Sequence, residues 1–194
     1  MAQAHARVLA DRLIPGEGVA WDAARIAAAN LLMVACAYIA IPLPWTAVPF
    51  TMQNFGVAFI AVLLGARRSA LVMALYLLEG AAGLPVFQPF GLPGPARFFG
   101  PTAGYLLAYP AAAFVTGWLV ERIAQRSIVQ LSGALLAGQA LIFASAAAWL
   151  ALGLGQGWAI AFWSGVAPFV LGDLVKMAMV IAAVRGVELA KPQR

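Results

Sequence analysis

Apolar runs of near-span length, cut by prolines, glycines and arginines, dominate this sequence of 194 residues. A chain in hydrocarbon finds no water for its backbone, so such runs must satisfy their own hydrogen bonds, as helices. One crossing takes about 20 predominantly apolar residues. Six runs meet or approach that length, at 23–41, 50–66, 69–84, 101–120, 128–152 and 168–185. Composition agrees: 64% of residues are hydrophobic and 10% charged, against about 25% charged in a soluble domain. The expected fold is an all-α integral membrane protein with six transmembrane helices and no soluble domain. Residues 1–22 form a cytoplasmic lead-in, 23–186 the transmembrane domain and 187–194 a cytoplasmic tail. The lead-in lacks a compact apolar core with a small-residue cleavage site, so it does not read as a cleaved signal peptide. Residues 153–165, with four glycines and two tryptophans, fit a loop, a short interfacial helix or an extension of the last span.

A net charge of +5 invites a nucleic-acid reading until the basic residues are located. Arg7, Arg12, Arg25, Arg67, Arg68, Arg122, Arg126, Arg185, Lys191 and Arg194 all fall on one side of the six-span arrangement. Cytoplasmic loops carry such an excess, which puts both termini in the cytoplasm. Arg97, in the Pro-, Gly- and Phe-rich loop 85–100, then stands on the outer side. Cys36 is the single cysteine and His5 the single histidine, so no intrachain disulfide forms and no metal cluster is expected.

Two charges remain inside a span. Asp173 and Lys176 interrupt the apolar run 168–184, where ionisable groups are costly, face a protein-lined cavity and mark functional sites. Three residues apart on a helix, the side chains lie about 60° apart on one face. They can neutralise each other or hold a polar ligand between them. Arg97, among Phe87, Phe90, Phe98 and Phe99, is a candidate anion contact on the same side. Glu79, near the outer end of the third run, either lines that cavity or reaches the interface. Gln53 and Asn54 are polar residues at membrane depth, either glue between helices or pocket donors. Tyr105 offers a ring face and a hydroxyl. Gly100-Pro-Thr-Ala-Gly-Tyr105 opens a helix, yet no Gly-Lys-Ser/Thr phosphate cradle exists in the chain, so ATP-driven work would fall to a partner. Ala23, Ala24, Ala27 and Ala28 give the first span a small-residue face that lets another helix approach closely. No Ser-His-Asp, Cys-His or His-rich arrangement supports an enzyme.

Four motifs occur in order: Ile41-Pro-Leu-Pro-Trp-Thr-Ala-Val-Pro-Phe-Thr-Met-Gln53, Gly80-Ala-Ala-Gly-Leu-Pro-Val-Phe87, Gly100-Pro-Thr-Ala-Gly-Tyr105 and Gly172-Asp-Leu-Val-Lys176. Together they resemble the BioY family, the biotin-specific S components of energy-coupling factor (ECF) vitamin transporters, over about residues 25–186. The resemblance implies a multi-pass protein of the bacterial cytoplasmic membrane that captures biotin on the outer side. Its partners would be a transmembrane T component and two cytoplasmic ATPases, with the alanines of the first span contacting the T component. Biotin is then cargo, and no cofactor is implied. Asp173 and Lys176 match the family's Gly-Asp-x-x-Lys motif and would bind the ligand, with Arg97, Tyr105, Gln53 and Gln88 as further contacts. The loop 88–95, Gln-Pro-Phe-Gly-Leu-Pro-Gly-Pro, is richer in proline than the family pattern.

Biotin's chemistry suits these residues. A carboxylate and a cationic or hydroxyl donor satisfy its ureido group, and its valerate carboxylate needs a cation, Lys176 or Arg97. Its ring sulfur suits an aromatic wall. Asp173 is expected to accept from the ureido side. Two other readings compete: a proton-coupled secondary carrier in which Asp173 and Glu79 titrate, and a structural membrane protein without a small ligand.

Overall fold

The structure, a computed structural model, describes residue 9, residues 16–123 and residues 127–189. Arg7, Arg12, Arg126, Lys191 and Arg194, used above for orientation, lie outside the described residues, as do most of the lead-in and the end of the tail. Helix α1 spans Val19–Tyr38, α2 Gln53–Ala81, α3 Ala103–Arg122, α4 Ile128–Ala148, α5 Trp158–Gly165 and α6 Ala167–Leu189. Among the described residues, five elements are long and apolar enough to cross a membrane: α1, α2, α3, α4 with its π-helical extension to Gly153, and α6. The architecture is helical, apart from one ladder that the sequence reading did not anticipate. Two-residue strands β1 (Ala40–Ile41) and β2 (Phe50–Thr51) pair antiparallel, Ala40 opposite Thr51 and Ile41 opposite Phe50. They pin the end of α1 to the start of α2 and pull the intervening Pro-rich segment into a short cap.

The runs 50–66 and 69–84, expected as separate spans, correspond to the two halves of α2, which covers Gln53–Ala81. Its interior is broken at Gly65, with φ 76° and ψ −175°, a conformation open essentially to glycine alone. The chain reverses there. Gln53 Nε2 donates to Tyr76 Oη over 2.9 Å, whereas 23 residues along one straight helix would separate them by about 35 Å. The reversal is held by the neighbouring helix. Glu121 Oε1 accepts from Ala66 N at 2.8 Å, filling one orphan donor at the start of the second half. Gly117 lets α3 lie directly on the turn: a Cβ there would be 2.5 Å from the backbone of Gly65 and Ala66. On the same end of the bundle, Asp22 Oδ1 accepts from Arg25 Nη1 and Arg68 Nη2, each at 2.8 Å, joining α1 to the turn.

Two other boundaries moved. Pro101 was expected to open the fourth span, but α3 starts at Ala103, and Ala103 N donates to Gly100 O in the turn ahead of it. The third run was expected to stop at Pro85. The helix ends at Ala81, because Gly83 takes φ +89° and the amides of Gly83 and Leu84 turn back onto the carbonyls of Gly80 and Glu79. The uncertain stretch 153–165 resolves into the π turn Trp149–Gly153 and α5, whose Trp158 and Trp163 are exposed in the manner of interfacial anchors. The main core packs Met33, Ile60, Met73 and Tyr76 between α1, α2 and α3, and above it lies a cavity.

Candidate functional site

Helix α6 presents two faces. Leu171, Leu174 and Val175 are exposed, as a lipid-facing surface requires, while Phe169, Asp173 and Lys176 are buried. Spacings of four and three align this buried set along one face. The face closes a cavity of about 460 Å³, counting the open space at its mouth. Gly172 of the Gly-Asp-x-x-Lys motif has a direct role: a Cβ there would collide with the Phe50 ring. Without it, Phe50 lies over α6, stacked with Phe169 at 6.4 Å between centroids and 3.8 Å from Lys176 Nζ.

Asp173, 2% exposed, is the hub. Its Oδ1 accepts from Lys176 Nζ at 2.6 Å, and its Oδ2 accepts from Asn54 Nδ2 and Gln139 Nε2 at 2.7 Å each. Three elements, α2, α4 and α6, therefore meet on one carboxylate. An ammonium has three donors, and Asp173 uses one of those on Lys176. Tyr109 Oη donates to Asn54 Oδ1 at 3.3 Å, fixing that amide's orientation.

The loop 85–100 covers the cavity. Its 3₁₀ helix Gly94–Phe99 carries Arg97, which is 5% exposed. Arg97 Nη2 donates to Gln88 O at 2.9 Å and Nη1 to Phe90 O, while its Nε is buried and without a partner. Burial holds the Arg97 pKa below its ordinary value, an effect opposed by Tyr76. Gln88 Oε1 accepts from Phe90 N at 2.7 Å, which folds the loop on itself. Phe87 anchors the loop beneath, edge-on to Tyr76 and Phe98 at 5.3 and 5.7 Å. Gly80 leaves room for that ring, which a Cβ would strike. On the opposite wall Tyr105 Oη donates to Gly165 O, and its ring meets Phe169 edge-on at 6.3 Å.

Asp173, Lys176, Arg97, Tyr105, Gln53 and Gln88 all line this one cavity. Asn54, read as either glue or donor, is in the wall as well. Glu79 is not: its Oε1 accepts from Asn30 Nδ2 at 2.5 Å between α2 and α1. Ala23, Ala24, Ala27 and Ala28 are exposed on the outer face of α1. The sequence reading missed Gln139, Tyr109, Phe169 and Phe50. Gln139 carried a signal, an amide at hydrocarbon depth in the middle of an apolar run. The aromatics carried none, because rings in a span are ordinarily packing.

Fold and site thus define a multi-span membrane protein built around a cavity that combines an ion pair, side-chain amides, a second cation and aromatic walls. A sequence model of the BioY family matches residues 7–193. The chain is 39% identical over 153 residues to "Biotin transporter BioY" of Rhizobium etli, covering 75% of this chain and 80% of that one. It is 36% identical over 172 residues to "Biotin transporter BioY" of Rhodobacter capsulatus (83% and 90%) and 39% identical over 160 residues to that of Thermotoga maritima (82% and 90%). This protein belongs to the BioY family. Its fold matches a solved structure, "Crystal structure at 2.1 A of the S-component for biotin from an ECF-type ABC transporter", with a TM-score of 0.78 and 24% identity over 88% of this chain and 92% of that one.

Proposed function

We propose that this protein captures biotin from the outer side of the bacterial cytoplasmic membrane as the S component of an ECF transporter. The observation that carries the reading is the charge arrangement of the cavity. Asp173 and Lys176 neutralise each other, so their corner is dipolar and suits a neutral group with both donors and an acceptor. The ureido ring is such a group, its N–H donating to Asp173 and its carbonyl accepting from a free N–H of Lys176. Arg97 is held by two backbone carbonyls and lies over the Phe87 ring, with no carboxylate partner among the described residues. The lack of a counter-charge favours Arg97 over the paired Lys176, and we assign it the valerate carboxylate. Phe169 and Tyr105 supply the wall for the thioether ring, with Phe50 stacked on Phe169.

Both halves of the α2 reversal cross the bilayer on this reading, which makes six crossings with both chain ends in the cytoplasm. The halves, 53–64 and 66–81, are only about 18 and 24 Å long, so the bilayer thins around them or flanking residues complete the crossing. The loop 85–100 serves as a lid. The exposed alanines of α1 face the T component, two partner ATPases power the cycle, and inward release requires the whole module to reorient against that partner. Glu79, held by Asn30 outside the cavity, offers no support for proton coupling through Asp173 and Glu79.

Calorimetric titration of the detergent-purified chain with biotin and with biotin amide, on the parent and Arg97→Gln, tests the assignment. The parent should bind biotin tightly and the amide at least tenfold more weakly, about 1.4 kcal/mol. Arg97→Gln should bind the two alike. No saturable biotin binding by the parent would sink the function, and undiminished discrimination in Arg97→Gln would move the carboxylate elsewhere.

A further inference from the structure

A second cavity, of about 420 Å³ including the space at its mouth, adjoins the first. The two share one wall: Pro49, Gln88, Arg97 and Thr102 line both. Their relations to solvent differ. No residue lining the inner cavity is exposed, whereas Pro42, Ala47, Phe90, Gly91 and Leu92 of the outer cavity all are. Among the described residues, Arg97 is the only charged one lining the outer cavity. The shared wall is made largely of loop. Its guanidinium hangs from the carbonyls of Gln88 and Phe90, themselves residues of the outer lining, and its buried Nε is left without a partner.

We propose that the outer cavity is an encounter subsite for an anionic ligand, and that Arg97 is a pivot common to both cavities. Resting on the biotin assignment above, the sequence of events follows from the shared group. A carboxylate reaching the outer cavity meets one cation, Arg97, and docks there with its apolar remainder among Leu43, Ala47, Phe90 and Leu92. The ring then swings past Gln88 and Thr102 into the inner cavity while the carboxylate stays on the guanidinium. Because Arg97 faces both spaces, the anion is never released into an apolar wall, and its desolvation is met once. The free Nε supplies a donor for this hand-over beyond the two nitrogens that hold the loop. Residues that line the outer cavity alone, Ala47 and Leu92 among them, contact the ligand in transit only, so they set rates and leave the final affinity alone.

Stopped-flow measurement of biotin binding, followed by intrinsic tryptophan fluorescence, tests this on the parent, Ala47→Phe and Leu92→Trp. The two substitutions fill the outer cavity from two different loop segments, so a folding defect in one leaves the other to decide. Both should lower the association and dissociation rate constants by the same factor, tenfold or more, with Kd within twofold of the parent. Parent kobs should level off at high biotin as the encounter complex saturates. Unchanged rate constants in both variants overturn the proposal, since the ligand then arrives elsewhere. A weakened Kd with association unaffected also overturns it, because the outer residues would then belong to the final site. Absence of biotin binding by the parent removes the ligand assignment and this proposal together.

Discussion

Replacing Asp173 with asparagine preserves shape and removes charge, and the structure indicates what that costs. Three donors converge on the two carboxylate oxygens: Lys176 Nζ at 2.6 Å and the amides of Asn54 and Gln139 at 2.7 Å. An asparagine presents one oxygen and one NH₂, so in either rotamer at least one of the three donors faces another donor. Losing a hydrogen bond to a charged group removes about 1.5–3 kcal/mol. Lys176, itself 5% exposed, is also stranded without its counter-charge, and breaking a buried pair from one side costs about 3–5 kcal/mol. These overlap, so about 3–5 kcal/mol is the expected loss of stability, a large share of the roughly 5–15 kcal/mol that holds a typical domain together. Asp173→Asn/Lys176→Met then separates stability from binding. Methionine keeps an unbranched apolar stem and strands no charge, so the double variant should recover most of the lost stability. Biotin binding should stay at least tenfold weaker than in the parent, because the ureido acceptor is still missing. Thermal unfolding of the detergent-purified variants, paired with calorimetric titration, reads both quantities. An Asp173→Asn protein within about 1 kcal/mol of the parent would refute the buried-pair argument, and tight biotin binding by the double variant would make the pair structural alone.

Three further outcomes follow from the geometry. Gly65→Ala, at φ 76° and ψ −175°, should destabilise the reversal by about 1–3 kcal/mol; thermal unfolding checks this, and an unchanged midpoint would mean the turn relaxes freely. Gly80→Val should push the Phe87 ring aside and loosen the lid, speeding biotin dissociation at least tenfold in stopped-flow; a parent-like off-rate would show that the loop does not depend on that ring. Tyr105→Phe leaves the Gly165 carbonyl without its buried donor and should cost about 1–3 kcal/mol of stability, while retaining the ring against Phe169, so a biotin Kd close to that of the parent is expected if the hydroxyl serves the fold and a tenfold rise if it serves the ligand.

The site was legible where a residue contradicted its surroundings. Asp173 and Lys176 stood out because ionised groups in an apolar run demand a reason, and their spacing placed them on one face. Arg97 stood out through its isolation on the outer side, although nothing in the sequence foretold that it would be buried within its own loop. Gln53 and Asn54 were visible as polar residues at depth but not as neighbours of different partners: Gln53 reaches Tyr76, whereas Asn54 reaches Asp173. Phe50, Tyr109 and Phe169 were illegible, since a ring that packs against lipid, against a helix or against a ligand is the same letter.

Hydropathy and the placement of arginines determined by themselves that this chain is a multi-span helical membrane protein with its unusual charges gathered at one end. Those are properties of short stretches: backbone self-satisfaction in hydrocarbon, the length of a crossing and the sidedness of basic residues need no knowledge of which helices touch. Tertiary structure alone decided that the chain doubles back at Gly65, because the reversal depends on Gly117 and Glu121 of another helix meeting that turn. It alone decided that segments from α2, the loop 85–100, α3 and α6 close on one cavity, with α4 reaching its Asp173 through Gln139. A carboxylate can draw its donors from residues 119 and 34 positions away, and such partners are chosen by packing in three dimensions rather than by anything written beside Asp173 in the chain.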